Sequence, residues 1–254
     1  MVDFTTIYVL WLREIKRLLR AKSRLVSSIA MPMFFLIALG FGFSNMNIPG
    51  LSTDINYLSY LIPGIIGMGI MTPSLMAGIS VLWDKEFGFL KEIMVAPVSR
   101  YSIVLGRVAG NVSTSLIQAV LIGIISLFLG LQFQSIAQIL NALLILVLIS
   151  TTYVGLGLLF TSIIKDMQGF SSIMSLVMMP MMFLSGAFYP INNLPGAVRA
   201  ITYLNPLTYG IDGLRGIIIG TSMLNPITNT IILFIMSFVF LTLGAYLFEK
   251  TESV

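Results

Sequence analysis

Acids, bases and large apolar side chains crowd together in one stretch of this chain, Trp83 to Arg100, as nowhere else in it. Asp84, Glu86 and Glu92 stand among Lys85, Lys91 and Arg100, with Phe87, Gly88, Phe89, Leu90, Ile93 and Met94 between them. The chemistry on offer is recognition, not catalysis. Histidine and cysteine are absent from all 254 residues, which removes the commonest acid–base group, metal ligand and thiol nucleophile. No Gly-x-x-x-x-Gly-Lys-Ser/Thr phosphate loop occurs, so the chain binds no ATP in the usual way. Aromatic and aliphatic anchors inside a charged rim are instead the makeup of a docking surface. Leu90, Ile93 and Met94 share one helical face, Pro97 ends that helix, and Ser99 caps the next. The plainer alternative is a solvated connection with its apolar side on a membrane.

The elements that must hold this stretch are apolar. Hydrophobic residues make up 57% of the chain and charged residues 9%, against roughly 25% charged in a soluble domain. A bilayer core of ~30 Å needs about 20 helical residues. Leu25–Phe43, Tyr57–Trp83, Met167–Tyr189 and Pro226–Phe248 each meet that length. The run between Arg107 and Lys165 holds no charge and is long enough for two spans, parted at Leu131–Ser135. Barrel strands would alternate in polarity, and these runs do not. The expected fold is therefore an all-α integral membrane protein with six transmembrane helices. An amphipathic helix over residues 1–24 precedes a single membrane domain over 25–254, with a connection over 84–100 and an outer segment over 190–225.

Orientation follows from the basic residues. Twelve of the 14 Lys and Arg lie before the first span, in the 84–107 connection, at Lys165 or at Lys250, and only Arg199 and Arg215 remain for the other side. The positive-inside rule then places both termini in the cytoplasm of a multi-pass cell-membrane protein. The net charge of +4 is on this view a topology signal; a nucleic-acid reading would need a basic soluble face. The first span is too long and ends too differently from a cleavage site to be a signal peptide, so it is expected to be retained. Ahead of it, Tyr8, Trp11, Leu12, Ile15, Leu18 and Leu19 recur at helical spacing opposite Arg13, Lys16, Arg17, Arg20 and Arg24. That is a helix lying in the membrane interface, either as an anchor alone or also as a docking face for a cytoplasmic protein.

The outer segment from Pro190 to Asn225 is weakly apolar. Leu194–Tyr203 and Leu207–Gly220 predict two short helices broken at Asn205-Pro206, turned back at the membrane face where protein or water must cover their backbone. Asp212 and Arg215 are close enough to pair. Gly106-x-x-x-Gly110 and Gly216-x-x-x-Gly220 match a helix-packing pattern. On the fifth span Met174, Met178, Met181 and Met182 fall on one face, either as a pliable cavity wall for lipophilic cargo or as plain helix packing. Phe34, Met68 and Met71 are further candidates for that wall. Asp54, Asp166 and Asp212 are placed at or beyond helix ends, which counts against a proton-driven secondary multidrug transporter. An intramembrane enzyme lacks its parts.

Three blocks carry a resemblance to a known family: Asp84-Lys85-Glu86-Phe87-Gly88-Phe89-Leu90-Lys91-Glu92 with Ala96-Pro97-Val98-Ser99-Arg100; Leu184-Ser185-Gly186-Ala187-Phe188-Tyr189-Pro190 with Asn193-Leu194-Pro195; and Leu204-Asn205-Pro206-Leu207-Thr208-Tyr209. Over essentially its whole length the chain resembles the membrane subunits of ATP-binding-cassette (ABC) transporters of the type-2 exporter class, nearest the daunorubicin-type drug-resistance and nodulation-factor export branch. The resemblance implies a permease that pairs with a second copy of itself and with separate ATPase subunits, which hold the ATP and magnesium. It makes Asp84, Glu86, Phe87, Gly88, Leu90, Lys91, Glu92 and Met94 the coupling helix seated on the ATPase. Arg13, Lys16, Arg17 and Arg20 would belong to an interface helix beside it. Tyr189, Pro190, Asn205, Pro206, Asp212 and Arg215 would form an extracellular gate. The cargo expected is a hydrophobic drug or amphipathic lipid, with a polysaccharide or glycolipid as the alternative within the class.

Overall fold

The computed structural model describes residues 3–43, 56–87, 99–164 and 166–251. The expectations for Asp54, Lys165, and Gly88, Leu90, Lys91, Glu92 and Met94 of the docking stretch lie outside the described residues. Among the described residues the regular structure is helical throughout: α1 (Phe4–Arg20), α2 (Lys22–Gly42), α3 (Tyr57–Leu75), α4 (Ala77–Glu86), α5 (Arg100–Phe128), α6 (Ile136–Ile163), α7 (Met167–Phe183), α8 (Gly196–Thr202), α9 (Pro206–Ile218) and α10 (Pro226–Thr251). The starts are written locally. Asp3, Asn56, Ser99, Ser135, Asp166 and Asn205 each accept a backbone N–H of the helix they precede, a contribution of about 1 kcal/mol apiece.

Among the described residues five helices are long and apolar enough to cross a membrane: Leu25–Gly42, Tyr57–Asp84, Tyr101–Phe128, Ile136–Ile163 and Pro226–Leu247. The second joins α3 and α4 through Met76. The sixth expected span is the exception, because α7 has 17 residues and stops at Phe183, short of Tyr189. The chain turns there through Leu184–Gly186, with Gly186 in the left-handed region at φ +75°. At 1.5 Å per residue α7 is about 26 Å long, against a core of ~30 Å.

Burial sorts the spans. Of Tyr57–Asp84, 78% is buried inside the protein, against 17% of Leu25–Gly42 and of Pro226–Leu247. The α3–α4 rod is thus the axis of the bundle, packed by α2, α5, α6 and α9, while α2 and α10 turn their apolar outer faces to the surroundings. Gly64 lets the α3 backbone approach the 184–188 turn; a Cβ there would sit 2.7 Å from the Ala187 carbonyl oxygen.

Length explains where α1 goes. With 29 residues, α5 is about 43 Å long, some 13 Å more than a ~30 Å core. Its first turns accept α1 as a side-by-side neighbour. The Asp3 N–H donates to Ser102 Oγ at 2.8 Å, and Trp11 Nε1 donates to Ser113 Oγ at 2.9 Å. These contacts advance together along both chains, so α1 runs parallel to α5. Gly106 and Gly110 are the groove: a Cβ at Gly106 would meet the Ile7 carbonyl oxygen at 3.0 Å, and one at Gly110 would meet Glu14 Cβ at 2.7 Å. The glycine pair noted in the sequence thus seats α1 on α5. Leu10, Glu14 and Leu18 form the buried face of α1. The helix closes at Arg20, and Lys22 and Arg24 already belong to α2.

Candidate functional site

Three elements converge where the docking stretch begins. Asp84, in the last turns of α4, is only 7% exposed. From α1, Arg13 grips it with both guanidinium nitrogens, Nη2 to Oδ1 at 2.5 Å and Nη1 to Oδ2 at 3.0 Å. From α5, Arg107 (2% exposed) brings Nη2 to 2.9 Å from Asp84 Oδ2. That contact is a charge pair outside hydrogen-bond angles, and Arg107 Nε has no hydrogen-bond partner among the described residues. A second acid, Glu14 (3% exposed), pairs with Arg17 at 2.5 Å. Burial alone would lower the affinity of the Arg13 guanidinium for its proton, but the hydrogen bonds and charge of Asp84 outweigh it and hold its pKa above the ordinary value. At the start of α1 the Thr6 hydroxyl holds the Asp3 carboxyl below its ordinary range.

This geometry makes Asp84 a bolt through α1, α4 and α5, placed immediately before the 84–100 connection. Glu86 and Phe87 follow it on the exposed side, and the Phe87 ring lies 5.6 Å from that of Trp83, also exposed. A cavity of about 310 Å³ opens here between Arg13, Arg17, Ile79, Trp83, Asp84 and Phe87. It combines arginines, a carboxylate and two exposed aromatic rings. Lys16 and Arg20 are exposed on the outer arc of α1. Among the described residues no group of His, Cys, Asp or Glu is arranged to hold a metal ion.

The opposite end of the bundle holds a second buried arginine, differently satisfied. Arg215 in α9 donates from Nη2 to the carbonyls of Gly186 (2.8 Å) and Ala187 (3.0 Å) and from Nε to that of Tyr60 (3.3 Å). Its guanidinium carbon lies 3.6 Å from the centroid of the Tyr60 ring. The Tyr57 hydroxyl donates to the Phe188 carbonyl at 2.9 Å, so α3 and α9 together clamp the 184–188 turn. Asp212 does not take Arg215 as its partner. It accepts the backbone N–H groups of Met223 (2.8 Å) and Leu224 (3.0 Å) and Asn229 Nδ2 (2.7 Å), holding the start of α10. Nor does it lie at a helix end as the sequence implied: it is in the middle of α9 and buried. Asn205 caps α9, donates to the Met181 carbonyl at 2.7 Å and accepts the Tyr153 hydroxyl at 3.1 Å. Pro206 opens the helix, Pro190 precedes a short 3-10 turn, and the Tyr189 hydroxyl donates to the Phe183 carbonyl at 2.7 Å.

The proposed cavity residues are dispersed within one chain. Met68, Met71 and Met174 are buried in the main core, and Met178, Met181 and Met182 pack against it. Phe34 is 64% exposed on α2. The exposed residues of α7 are instead Gln168, Ser171, Ser172, Ile173, Ser175, Leu176, Met179, Pro180 and Phe183, a mixture of polar and apolar side chains. Two junction residues escaped the sequence reading: Glu14, an acid at helical spacing between the apolar Leu10 and Leu18, and Arg107, counted only as a topology charge. In both, the signal was a charge on a face otherwise built for burial.

An all-helical bundle with apolar helices long enough to cross a membrane and a charged junction at one end defines a multi-pass membrane protein. Comparison with known proteins gives the particular class: the chain belongs to the ABC-2 type transporter family, whose sequence profile matches residues 5–219. It is 33% identical over 203 residues to the putative transport permease ycf38 of Pyropia yezoensis, covering 77% of this chain and 68% of that protein. Over 204 residues it is 29% identical to the inner membrane transport permease YadH of Escherichia coli K12, covering 78% and 77%. Over 189 residues it is 28% identical to nodulation protein J of Rhizobium meliloti, covering 74% and 71%. The matched span contains both arginine sites, Arg13–Asp84–Arg107 and Arg215.

Proposed function

We propose that this chain is the membrane-spanning permease of an ATP-driven exporter and moves hydrophobic or amphipathic molecules outward by alternating access, with ATP hydrolysed on separate ATPase subunits. In this reading α2, α3–α4, α5, α6, α7 and α10 are six spans with both termini cytoplasmic, and α8 and α9 are a re-entrant cap on the outer face. The 84–100 connection is the coupling segment. The observation that supports it most is Asp84. A docked partner that pushes on the residues after Asp84 pushes through a rigid ionic bolt on α1 and α5 at once, so a local displacement becomes a movement of three helices. Two such chains would face each other across the exposed hydroxyls of α7, which lipid solvates poorly and a shared aqueous path would solvate well.

The test is reconstitution with the ATPase subunit that copurifies with the chain. ATP hydrolysis should rise on complex formation and be coupled to efflux of a lipophilic dye from proteoliposomes. Charge reversal at Glu86 and Glu92 should uncouple hydrolysis from efflux while leaving the chain inserted. Hydrolysis indifferent to the presence of this chain would sink the reading; intact coupling in the reversed variant would sink the docking segment alone.

A further inference from the structure

We propose that the outer arc of α1 binds the headgroup of an anionic phospholipid, with Lys16 and Arg20 as the side chains that take its phosphate. The four cations of α1 stand at positions 13, 16, 17 and 20, the i, i+3, i+4, i+7 spacing that puts them along one side of a helix. Two of them are committed inward, Arg13 to Asp84 and Arg17 to Glu14. Lys16 and Arg20 are exposed. The junction's two acids are already used, and among the described residues these two cations make no ion pair.

A groove of about 700 Å³ runs along this arc beside Leu12, Arg13, Lys16, Arg17 and Arg20, within the size range of small-molecule sites. On the neighbouring arc Phe4, Tyr8 and Leu19 are exposed, large and apolar. The two arcs together match the two halves of a phospholipid. Depth agrees as well: α1 ends at Arg20, one residue separates it from α2, and the apolar span opens at Leu25. The Arg20 end of the groove therefore lies about one and a half turns from the hydrocarbon boundary and Lys16 about one turn further, around the level of phosphate groups. A basic helix face at that level attracts anionic lipid electrostatically and through buried apolar area together.

The experiment needs only the purified chain without any ATPase, so its outcome is independent of the export reading. Retained lipids are counted by native mass spectrometry from mixed micelles of phosphatidylglycerol and phosphatidylcholine. The chain should retain phosphatidylglycerol preferentially, and Lys16→Gln with Arg20→Gln should weaken that preference by about thirtyfold, the equivalent of ~1 kcal/mol per charge. Lys16→Arg should preserve it, and Arg199→Gln at the far end should leave it unchanged. An undiminished preference in the double glutamine variant would overturn the proposal. So would displacement of the lipid by free glycerol phosphate at matching concentration, since the apolar arc would then contribute nothing.

Discussion

The two ends of this bundle both bury an arginine, and they solve the problem in opposite ways. At the α1 end, Arg107 meets a carboxylate, Asp84, which is shared with Arg13. At the α9 end, Arg215 makes no ion pair among the described residues; it is held by three backbone carbonyls and a tyrosine face, while Asp212 nearby is held by backbone and amide N–H groups. A charge paired with a charge on another helix couples elements that can separate, because the pair depends on both side chains arriving. A charge paired with peptide dipoles fixes the path of one backbone, because the acceptors are the fold itself. The first arrangement suits a joint, the second a rivet.

The contrast is broken most severely at Asp84. Asp84→Ala leaves Arg107 buried without its counter-charge, a loss of about 3–5 kcal/mol, read as a lowered midpoint in thermal or SDS unfolding of the purified protein. Adding Arg107→Met to Asp84→Leu should restore most of that stability, since removing both charges removes the desolvation cost with the attraction. Coupled efflux should stay lost in the stable double variant. Restored efflux would mean that Asp84 only stabilises and does not transmit.

Arg215→Ala is next. It takes the charged donor from three carbonyl oxygens, of which that of Gly186 keeps the Tyr60 hydroxyl, at a cost of about 2–4 kcal/mol, the loss of one to two charged hydrogen bonds after the rest relax. Arg215→Lys should recover only part of it, since a point charge cannot fork between two carbonyls and stack on Tyr60. The chain has no cysteine, so a single cysteine placed at Ala187 reports directly: thiol labelling there should accelerate in the Arg215→Ala background and stay slow in Asp84→Ala. Equal acceleration in both would erase the distinction between joint and rivet.

Gly110→Ala probes the seat of α1. The added methyl would meet Glu14 Cβ at 2.7 Å, forcing α1 outward at about 1–3 kcal/mol. Because Glu14 and Arg13 ride on the same helix, the variant should also loosen the Asp84 bolt, and its effect combined with Asp84→Ala should be less than additive.

How much of this was legible in the sequence follows from what each feature depends on. Spans, caps and the glycine pair are local or periodic, and Asn205, Ser99 and Ser135 cap helices as their residue types imply. The end of α7 was missed because apolar composition continues through Phe188 while a left-handed glycine has already turned the chain. Asp212 and Arg215 stand three apart, a good helical pair by spacing, yet the backbone of the 184–188 and 223–224 segments supplied better partners. The Arg13–Asp84–Arg107 joint spans three elements far apart in sequence, and no spacing rule reaches that far.

The smallest expected effect tests the part of the site that the sequence left with two readings. Met178 packs against the main core while Leu176 and Met179 face outward. Met178→Leu keeps volume and apolarity, so as packing it should cost about 1 kcal/mol or less and leave the range of exported compounds unchanged. Leu176→Gln on the other face should leave stability nearly untouched, since nothing of its side chain is taken from a buried environment, and should shift that range if the exposed side of α7 lines the path. A substrate profile altered by Met178→Leu and indifferent to Leu176→Gln would return the path to the methionine face. Paired efflux measurements over a panel of lipophilic and amphipathic dyes decide it, because the two residues lie on opposite sides of one helix and any general loss of expression would move both.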